Sequence, residues 1–434
     1  MGGNRHRLAH RAFDLMTRRG RNPFVTRDSS MPKTIVIPVT LDTKGEETKY
    51  LKEQIERKGH KTIIIDVGIL GKPPFKADVS REKVAREGGK SLRELVEAAK
   101  RGADRTEATN VMIAGVKRIV KQLHSEGKLD GIISLGGSTG SAIGTTAMSV
   151  LPVGVPKLMV STGFETQFVG AKDIAILQTP ADILGLNSIM RRTLASAAGA
   201  IVGMAEAKVK EKAQPLVGIT ALGVTTPAAM NINPLLEKRG YEPIVFHSKT
   251  QILDELVAED RIRGIIDLTT FEVMIPISFH LPEELAEGRL ALAGEKGLPQ
   301  VIVPGGLDMF IFTGTKETVF PEYQDRAIHV HGPDRVLVRT TGEEIAKAAK
   351  LLVGRANKAA GAVAIVIPLR GFSAVDAEGQ HFYDPEADAA FSRVVKENAK
   401  RKVAIVEVDA HINDARFARK VVDTFDKLLK KGGA

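Results

Sequence analysis

The sequence predicts an α/β protein built from two Rossmann-like, doubly wound parallel-sheet subdomains, and three observations predict it. Short β-branched apolar runs alternate with helix-length segments from Lys33 onward, as right-handed βαβ units require. The alternation breaks at one charged stretch, 206–214 before Pro215, and then restarts. The two halves also echo each other: Ile55-Glu56-Arg57-Lys58-Gly59 resembles Leu236-Glu237-Lys238-Arg239-Gly240, and Asp130-Gly131-Ile132-Ile133 resembles Arg263-Gly264-Ile265-Ile266. Helix–glycine–strand junctions look alike on physical grounds alone, so duplication is a suggestion only. At 434 residues the chain exceeds one ordinary core. The expected division is a basic extension at 1–30, a first domain at 31–208 and a second at 209–434.

The first half opens with a buried-type strand at 34–39, a helix running to Lys58 and closed by Gly59, and a second strand at 61–67. A connection rich in Gly and Pro (71–74) leads to helices around 80–100 and 107–126. Strands at 131–135, 157–160 and 174–177 follow, then a long small-residue helix at 181–205. In the second half, strands are expected at 216–220, 243–246, 263–268, 299–303, 327–331, 362–368 and 402–407. A helix ending near Lys238 and others near 341–353, 384–399 and 413–430 separate them.

Composition excludes several functions. The chain has no Cys, so disulfides and thiolate metal sites are absent. It has no Trp and only 5% aromatic residues, a poor platform for stacking single-stranded nucleic acid. No apolar run approaches the ~20 residues of a membrane span, so a cytoplasmic protein with no membrane partner is expected. The net charge of +10 looks like a nucleic-acid signal until it is located. Residues 1–30 carry seven arginines against two aspartates, half of the excess. That arm reads as an organelle-targeting segment, an over-extended start before Met31, or a piece that packs on a partner.

The stretch 129–146, LDGIISLGGSTGSAIGTT, carries the strongest signal. A buried strand ends in Gly136-Gly137-Ser138-Thr139-Gly140 and a small-residue helical segment follows. Backbone N–H groups at the positive end of a helix dipole suit a phosphate or carboxylate. The plainer alternative is a tight turn whose glycines serve only positive φ. The loop is neither a Walker A motif, since it has no lysine, nor a G-x-G-x-x-G fingerprint.

In such sheets ligands bind beyond the carboxyl ends of the strands. The first half delivers Thr40, Asp42, Thr43, Lys44, Asp66, Ser161 and Thr162 there. Lysine and small hydroxyls suit a phosphate, and Asp42 suits Mg2+ held through water. Asp42 or Thr43 could equally cap the following helix, with Glu46 completing a capping box. The second half delivers His247, then Thr269, Thr270 and Glu272, then Gly305 and Asp308, then His329 and His331, then Arg370, and finally Asp409, His411 and Asn413. Arg370 could clamp an anion bidentately. His247 and His411 are acid/base candidates, and Glu272, Asp308 and Asp409 are candidates to bind a metal or orient a histidine. For His329 and His331 a structural role weighs more, and Asp409 and Asn413 could cap the last helix. No nucleophile elbow or H-E-x-x-H is present.

Ten ordered stretches carry a family resemblance. They include VTLDTKGEE (39–47), DGIISLGGSTG (130–140), GLNSIMRRTLASAAGAIVGMA (185–205), PQVIVPGGLDM (299–309), IPLRGFSAVD (367–376) and VDAHINDARFA (408–418). On these the chain resembles the Tm-one-like ATP-binding domain family across residues 33–430. The resemblance implies two Rossmann-like subdomains, Mg-ATP or a related nucleotide at the glycine-rich loop, and self-association into a homodimer or larger assembly. Two departures stand out. The family's second glycine-rich run, H-A-T-G-T-G-G, is here His247-Ser248-Lys249-Thr250-Gln251, and the segment after Thr162 is shortened to Gly163-Phe164-Glu165-Thr166-Gln167. The leading expectation is a protein that binds ATP, a related nucleotide or a phosphorylated metabolite in the cleft between the two domains. The cofactor-binding set is Thr40, Asp42, Thr43, Lys44, Gly136, Gly137, Ser138, Thr139, Gly140, Ser161, Thr162, Thr269, Thr270, Gly305 and Asp308. The alternatives are an enzyme on a small carboxylated or keto-acid metabolite, using His247, Arg370 and His411 with Asp42 or Glu272 on a metal, and an RNA- or protein-interaction module.

Overall fold

The protein is seen in a computed structural model that describes residues 31–100, 105–163, 172–209, 214–248, 251–282, 288 and 290–432. The basic arm at 1–30, most of the shortened segment after Gly163, and Lys249-Thr250 lie outside the described residues, as does the middle of the charged stretch before Pro215. The chain divides into two compact units, Met1–Lys210 and Glu211–Ala434.

The first unit is a doubly wound sheet. Its strands are β1 (Thr34–Val39), β2 (Lys61–Asp66), β3 (Gly131–Gly136), β4 (Lys157–Ser161) and β5 (Ala175–Gln178). All pair in parallel, in the order β2-β1-β3-β4-β5. The helices are α1 (Leu41–Glu56), α2 (Arg81–Glu87), α3 (Leu92–Lys100), α4 (Arg105–Ser125), α5 (Ser138–Met148) and α6 (Ser188–Glu206). Side chains alternate across a strand, so β1 sends Ile35 and Ile37 to one face and Val36 to the other. Ile35 and Ile37 pack with α1 and α6; Val36 packs with α2, α4 and α5. Both faces are covered, which is why the strands read as unbroken apolar runs. Each fully buried Ile or Leu contributes roughly 1.5–3 kcal/mol.

The second unit repeats that winding. β6 (Leu216–Ala221), β7 (Glu242–His247), β8 (Ile262–Thr269), β9 (Gln300–Gly305), β13 (Val363–Pro368) and β14 (Val403–Val408) form a parallel sheet in the order β14-β13-β9-β8-β6-β7. Its helices are α7 (Thr226–Glu237), α8 (Gln251–Ala258), the short α9 (Met274–Ser278) and α10 (Ala291–Glu295), α11 (Gly342–Lys358), α12 (Pro385–Asn398) and α13 (Ala415–Gly432). α7 and α13 cover one face; α11 and α12 cover the other. In both sheets the second strand lies outside the first and the third lies on its other side, so each has a switch point between its first and third strands.

The expected parallel strand at 327–331 is corrected. Residues 328–330 form β11, which joins β10 (Met309–Thr313) and β12 (Arg335–Arg339) in a separate antiparallel sheet, β10-β12-β11. The expected helix at 181–205 starts instead at Ser188. Gly185 takes a φ of +77°, and the Asn187 side chain accepts from the Met190 N–H at 2.9 Å, which fixes the start. The helix expected around 80–100 is two, broken at Gly88-Gly89, where Gly89 has a φ of +100°.

The seating of α5 on β3 depends on Gly144, whose missing side chain leaves room for Ser134. Gly199, within α6, has nothing within 4 Å of the place a Cβ would take. Gly144→Ala is therefore expected to cost about 1–3 kcal/mol, and Gly199→Ala to add about 0.5–1 kcal/mol. Urea denaturation followed by circular dichroism reads both; equal effects would refute the packing argument.

Candidate functional site

In the first unit the sequence-predicted residues converge at the switch point. Thr40 follows β1 and occupies the N-cap position of α1, but its side chain makes no capping bond. Its hydroxyl lies 3.0 Å from the Thr43 hydroxyl instead. The expectation that Asp42 or Thr43 caps this helix is thus corrected, because the helix already begins at Leu41. The Asp42 carboxylate reaches across to the chain leaving β2 and accepts from the N–H groups of Leu70 and Gly71, both at 2.9 Å. A Cβ on Gly68 would lie 2.6 Å from that carboxylate, so the approach needs glycine there. Beneath, buried Asp66 accepts from Leu41 N–H at 3.2 Å and Gly68 N–H at 2.9 Å. Burial raises its pKa against the pull of those two bonds. Lys44, at a non-helical kink in α1 (φ −127°, ψ 28°), donates to the Ile183 carbonyl at 2.5 Å. An ammonium has three donors, so this bond positions Lys44 without exhausting it.

Facing these residues is the first turn of α5. Gly137 is its N-cap and supplies no side-chain cap; the first N–H groups of a helix have no partner within it. Gly136, Gly137 and Gly140 all have negative φ, so the turn-only explanation of the glycines is corrected. Gly136 is required for packing, since a Cβ there would lie 2.8 Å from the Gly140 Cα. Gly137 and Gly140 are different. A Cβ at either would meet its nearest atom at 3.6 Å, ordinary contact. Nothing in the fold demands glycine at those two positions, and both border a cavity of about 370 Å³.

One wall of this cavity carries Thr40, Asp42, Thr43 and Lys44, with residues 137–140 opposite. The other wall is mostly apolar: Val67, Ile69, Leu70, Met112 and Ile143, with Thr109 and Asp182 at its edge. Of the predicted set, Gly136, Ser161 and Thr162 do not line it. Buried Ser161 shares a 2.8 Å bond with Ser141 and accepts from Gly163 N–H at 3.0 Å, so it braces the ends of β3 and β4. Thr162 donates its N–H to the Gly136 carbonyl at 3.3 Å. The sequence reading missed the apolar wall and Asp182. Val67, Ile69 and Leu70 extend the β2 run beyond the strand, which was a usable signal; Thr109 and Met112 sit on an ordinary amphipathic helix and gave none.

In the second unit the predicted residues are scattered. Thr269 and Thr270 are fully buried. The Thr269 hydroxyl bonds that of Thr225 at 2.7 Å, and the Thr270 hydroxyl donates to the Val303 carbonyl at 3.1 Å. Gly305 is packed against the Leu268 carbonyl, and Glu272 lies in the 3-10 turn after β8. Arg370 forms a two-pronged exposed pair with Asp409, at 2.6 and 3.1 Å, and this holds the Asp409 carboxyl below its usual range. His411 is engaged at both ring nitrogens: Nδ1 accepts from Asn413 N–H at 3.2 Å, leaving Nε2 to donate to the Ser373 carbonyl at 2.8 Å. Asn413 caps α7 and not the last helix, through its Oδ1 on the Ala228 N–H at 3.1 Å. His247 ends β7, four strand spacings or about 19 Å from β13, so it does not join Arg370 and His411 in one cluster. His329 and His331 belong to the β11 edge of the small sheet, with ring centroids 6.0 Å apart. Among the described residues, no group of three or more His, Asp or Glu is disposed to hold a metal ion.

Asp308 lies fully buried in a polar core built on Arg339. Arg339 pairs with Asp388 at 2.7 Å and lies 4.0 Å from Asp376. Asp308 accepts from the Ser373 hydroxyl at 2.6 Å, and its carbonyl accepts from Arg339 Nη1 at 3.2 Å. One guanidinium cannot neutralise three buried carboxylates. Burial raises all three pKa values, Asp308 to about 6 and Asp376 to about 10.

The two units coincide with two family matches. Residues 33–210 match the N-terminal domain of "Uncharacterised protein family (UPF0261)", and residues 214–429 match its C-terminal domain. The chain belongs to the UPF0261 family. A UPF0261 protein of Clostridium tetani is 40% identical over 410 residues, covering 92% of this chain and 100% of that relative. A UPF0261 protein of Brucella suis is 31% identical, covering 94% and 98% respectively. The ToMV resistance protein Tm-1(GCR237) of Solanum lycopersicum is 34% identical over 343 residues, 75% of this chain and 45% of the tomato protein. The motif resemblance thus has a relative behind it. Among solved structures, Acinetobacter baumannii MurG aligns over 91% of this UPF0261 chain and all of its own, at 12% identity and a TM-score of 0.21, a likeness too weak to carry an argument. Among the described residues, no helix is long and apolar enough to cross a membrane.

The buried carboxylates make a pH prediction. A carboxyl whose folded-state pKa exceeds its unfolded value stabilises the fold fully below the unfolded value and loses that contribution as pH rises through the folded one. Asp376 then weakens the fold steadily from about pH 4 to 10, and Asp308 from about pH 4 to 6. Asp376→Asn, which mimics the protonated form, should match or exceed the wild type near pH 8, with its advantage shrinking toward pH 5. Arg339→Met should cost about 3–5 kcal/mol. Denaturation midpoints across that range test both; a growing advantage of the Asn variant on acidification would refute the assignment.

Proposed function

We propose that the first unit binds a nucleotide or another phosphorylated metabolite, with ATP the leading candidate, in the cavity at its β1–β3 switch point. The observation that carries this is the pair Gly137 and Gly140. Neither positive φ nor packing accounts for them, and each keeps a side chain out of the cavity beside the open N–H groups of α5. Backbone donors at a helix start favour phosphate. Lys44 and the Thr40 and Thr43 hydroxyls add a cation and neutral donors on the facing wall.

The apolar wall of Val67, Ile69, Leu70, Met112 and Ile143 suits a flat base or other apolar body. Asp42 and Asp182 are the carboxylates of the lining. A Mg2+ ion is usually held by one or two carboxylates together with phosphate oxygens, so these two residues would contact a cation carried in by the ligand. It would offset charge between their carboxylates and the phosphates. Within this class ATP is favoured by the motif resemblance to the Tm-one-like ATP-binding domain family.

Calorimetry with ATPγS and Mg2+, repeated with ADP and small sugar phosphates, tests the reading. Gly137→Ala and Gly140→Ala should weaken binding severalfold while leaving the thermal midpoint nearly unchanged, because the protein tolerates a Cβ there. Lys44→Ala should weaken the phosphate-bearing ligands and leave adenosine unaffected. No heat with any of these ligands would refute the proposal.

A further inference from the structure

We propose that the second unit holds a separate site for a small organic anion, a carboxylate on an apolar body. The site is a cavity of about 250 Å³. It forms where the β10-β12-β11 sheet folds beside the chain leaving β6, β7 and β8. Leu222, Phe271, Met309 and Leu337, all buried, make one side. They belong to the same continuous core, which anchors the floor of the cavity.

The other side is basic. His247, His331 and Arg335 line it, all exposed, and no Asp or Glu is among the lining residues. The other arginines in and before the small sheet are taken: Arg326 pairs with Glu344 and Arg339 with Asp388. Among the described residues no carboxylate pairs with Arg335, which bonds the Thr313 hydroxyl. A guanidinium fork matches a carboxylate bidentately, and the apolar side takes the rest of the molecule. Phosphate fits less well, because the start of α7 is closed: the Ala228 N–H is satisfied by Asn413. Gly223 keeps the mouth clear, and a Cβ there would have His331 Nε2 as its nearest neighbour, at 3.9 Å. His247, one of three residues expected to act together, is here separated from Arg370 and His411 and grouped with a different arginine.

The test uses the full chain and fluorine NMR of 4-fluorobenzoate, 4-fluorophenylacetate and a fluorinated short-chain fatty acid, with 4-fluorophenylacetamide as the neutral control. At least one acid should broaden with the wild type, and the amide should not. Arg335→Met, a surface change, should weaken the acid by about tenfold or more, and His331→Gln should weaken it severalfold. ATPγS binding measured on the same samples should be unchanged, which keeps this site distinct from the first. Absence of broadening by every acid, equal binding of acid and amide, or undiminished binding to a folded Arg335→Met protein would overturn the inference.

Discussion

A helix that follows a buried parallel strand must sit close to it, and in this protein the approach of α5 to β3 governs what the first unit can do. Gly136 and Gly144 permit that approach, and Ser141 and Ser161 fasten it with small hydroxyls and not with bulk. A small-residue helix start leaves its own N–H groups uncovered. The chain leaving β1 then places a lysine and two threonines opposite, and Asp42 and Asp66 pin the β2 exit so that an apolar wall stands beside them. The cavity follows from backbone closeness, and the side chains decide its chemistry.

The second unit shows the alternative outcome of the same winding. At its switch point, between β6 and β8, the space is filled by the chain itself. Thr220, Thr225, Thr269 and Asp267 form a buried hydroxyl–carboxylate network, and Asn413 covers the start of α7. Burying those polar groups is tolerable because they satisfy one another. The open space moved outward, to where the small antiparallel sheet meets the exits of β6, β7 and β8. Topology nominates a place for ligands; local satisfaction decides whether it stays open.

The same distinction explains what was legible in the sequence. The parallel strands could be read because both faces of each sheet are covered, giving unbroken runs such as Thr34–Val39 and Val363–Pro368. The antiparallel insert was illegible: Met309–Thr313 is apolar like its neighbours, and nothing local says it pairs with Arg335–Arg339. Thr40, Asp42, Thr43, Lys44 and residues 137–140 could be grouped because adjacent strands of one sheet deliver them to one end. His247, Arg370 and His411 could not be grouped correctly, since sheet order is a long-range property and β7 lies far across the sheet from β13. Asp308, Thr269 and Thr270 share the strand-end address of a site residue, but burial gives them another task. No pattern of residue types distinguishes a carboxylate facing a ligand from one facing Arg339.

That ambiguity has a physical basis. A polar residue at a strand end must find partners, and a ligand is only one kind. Where the chain supplies partners at 2.7–3.2 Å, as for His411 and Thr269, the group is bound to the fold and gives up freedom to act on anything else. Where it supplies part of them, as for Lys44, the group is held in place with capacity remaining. Functional residues in this protein are therefore best sought among the half-satisfied. Lys44 beside two glycines that packing does not require, and Arg335 among neighbouring arginines that have carboxylates, both meet that description from opposite units of the chain.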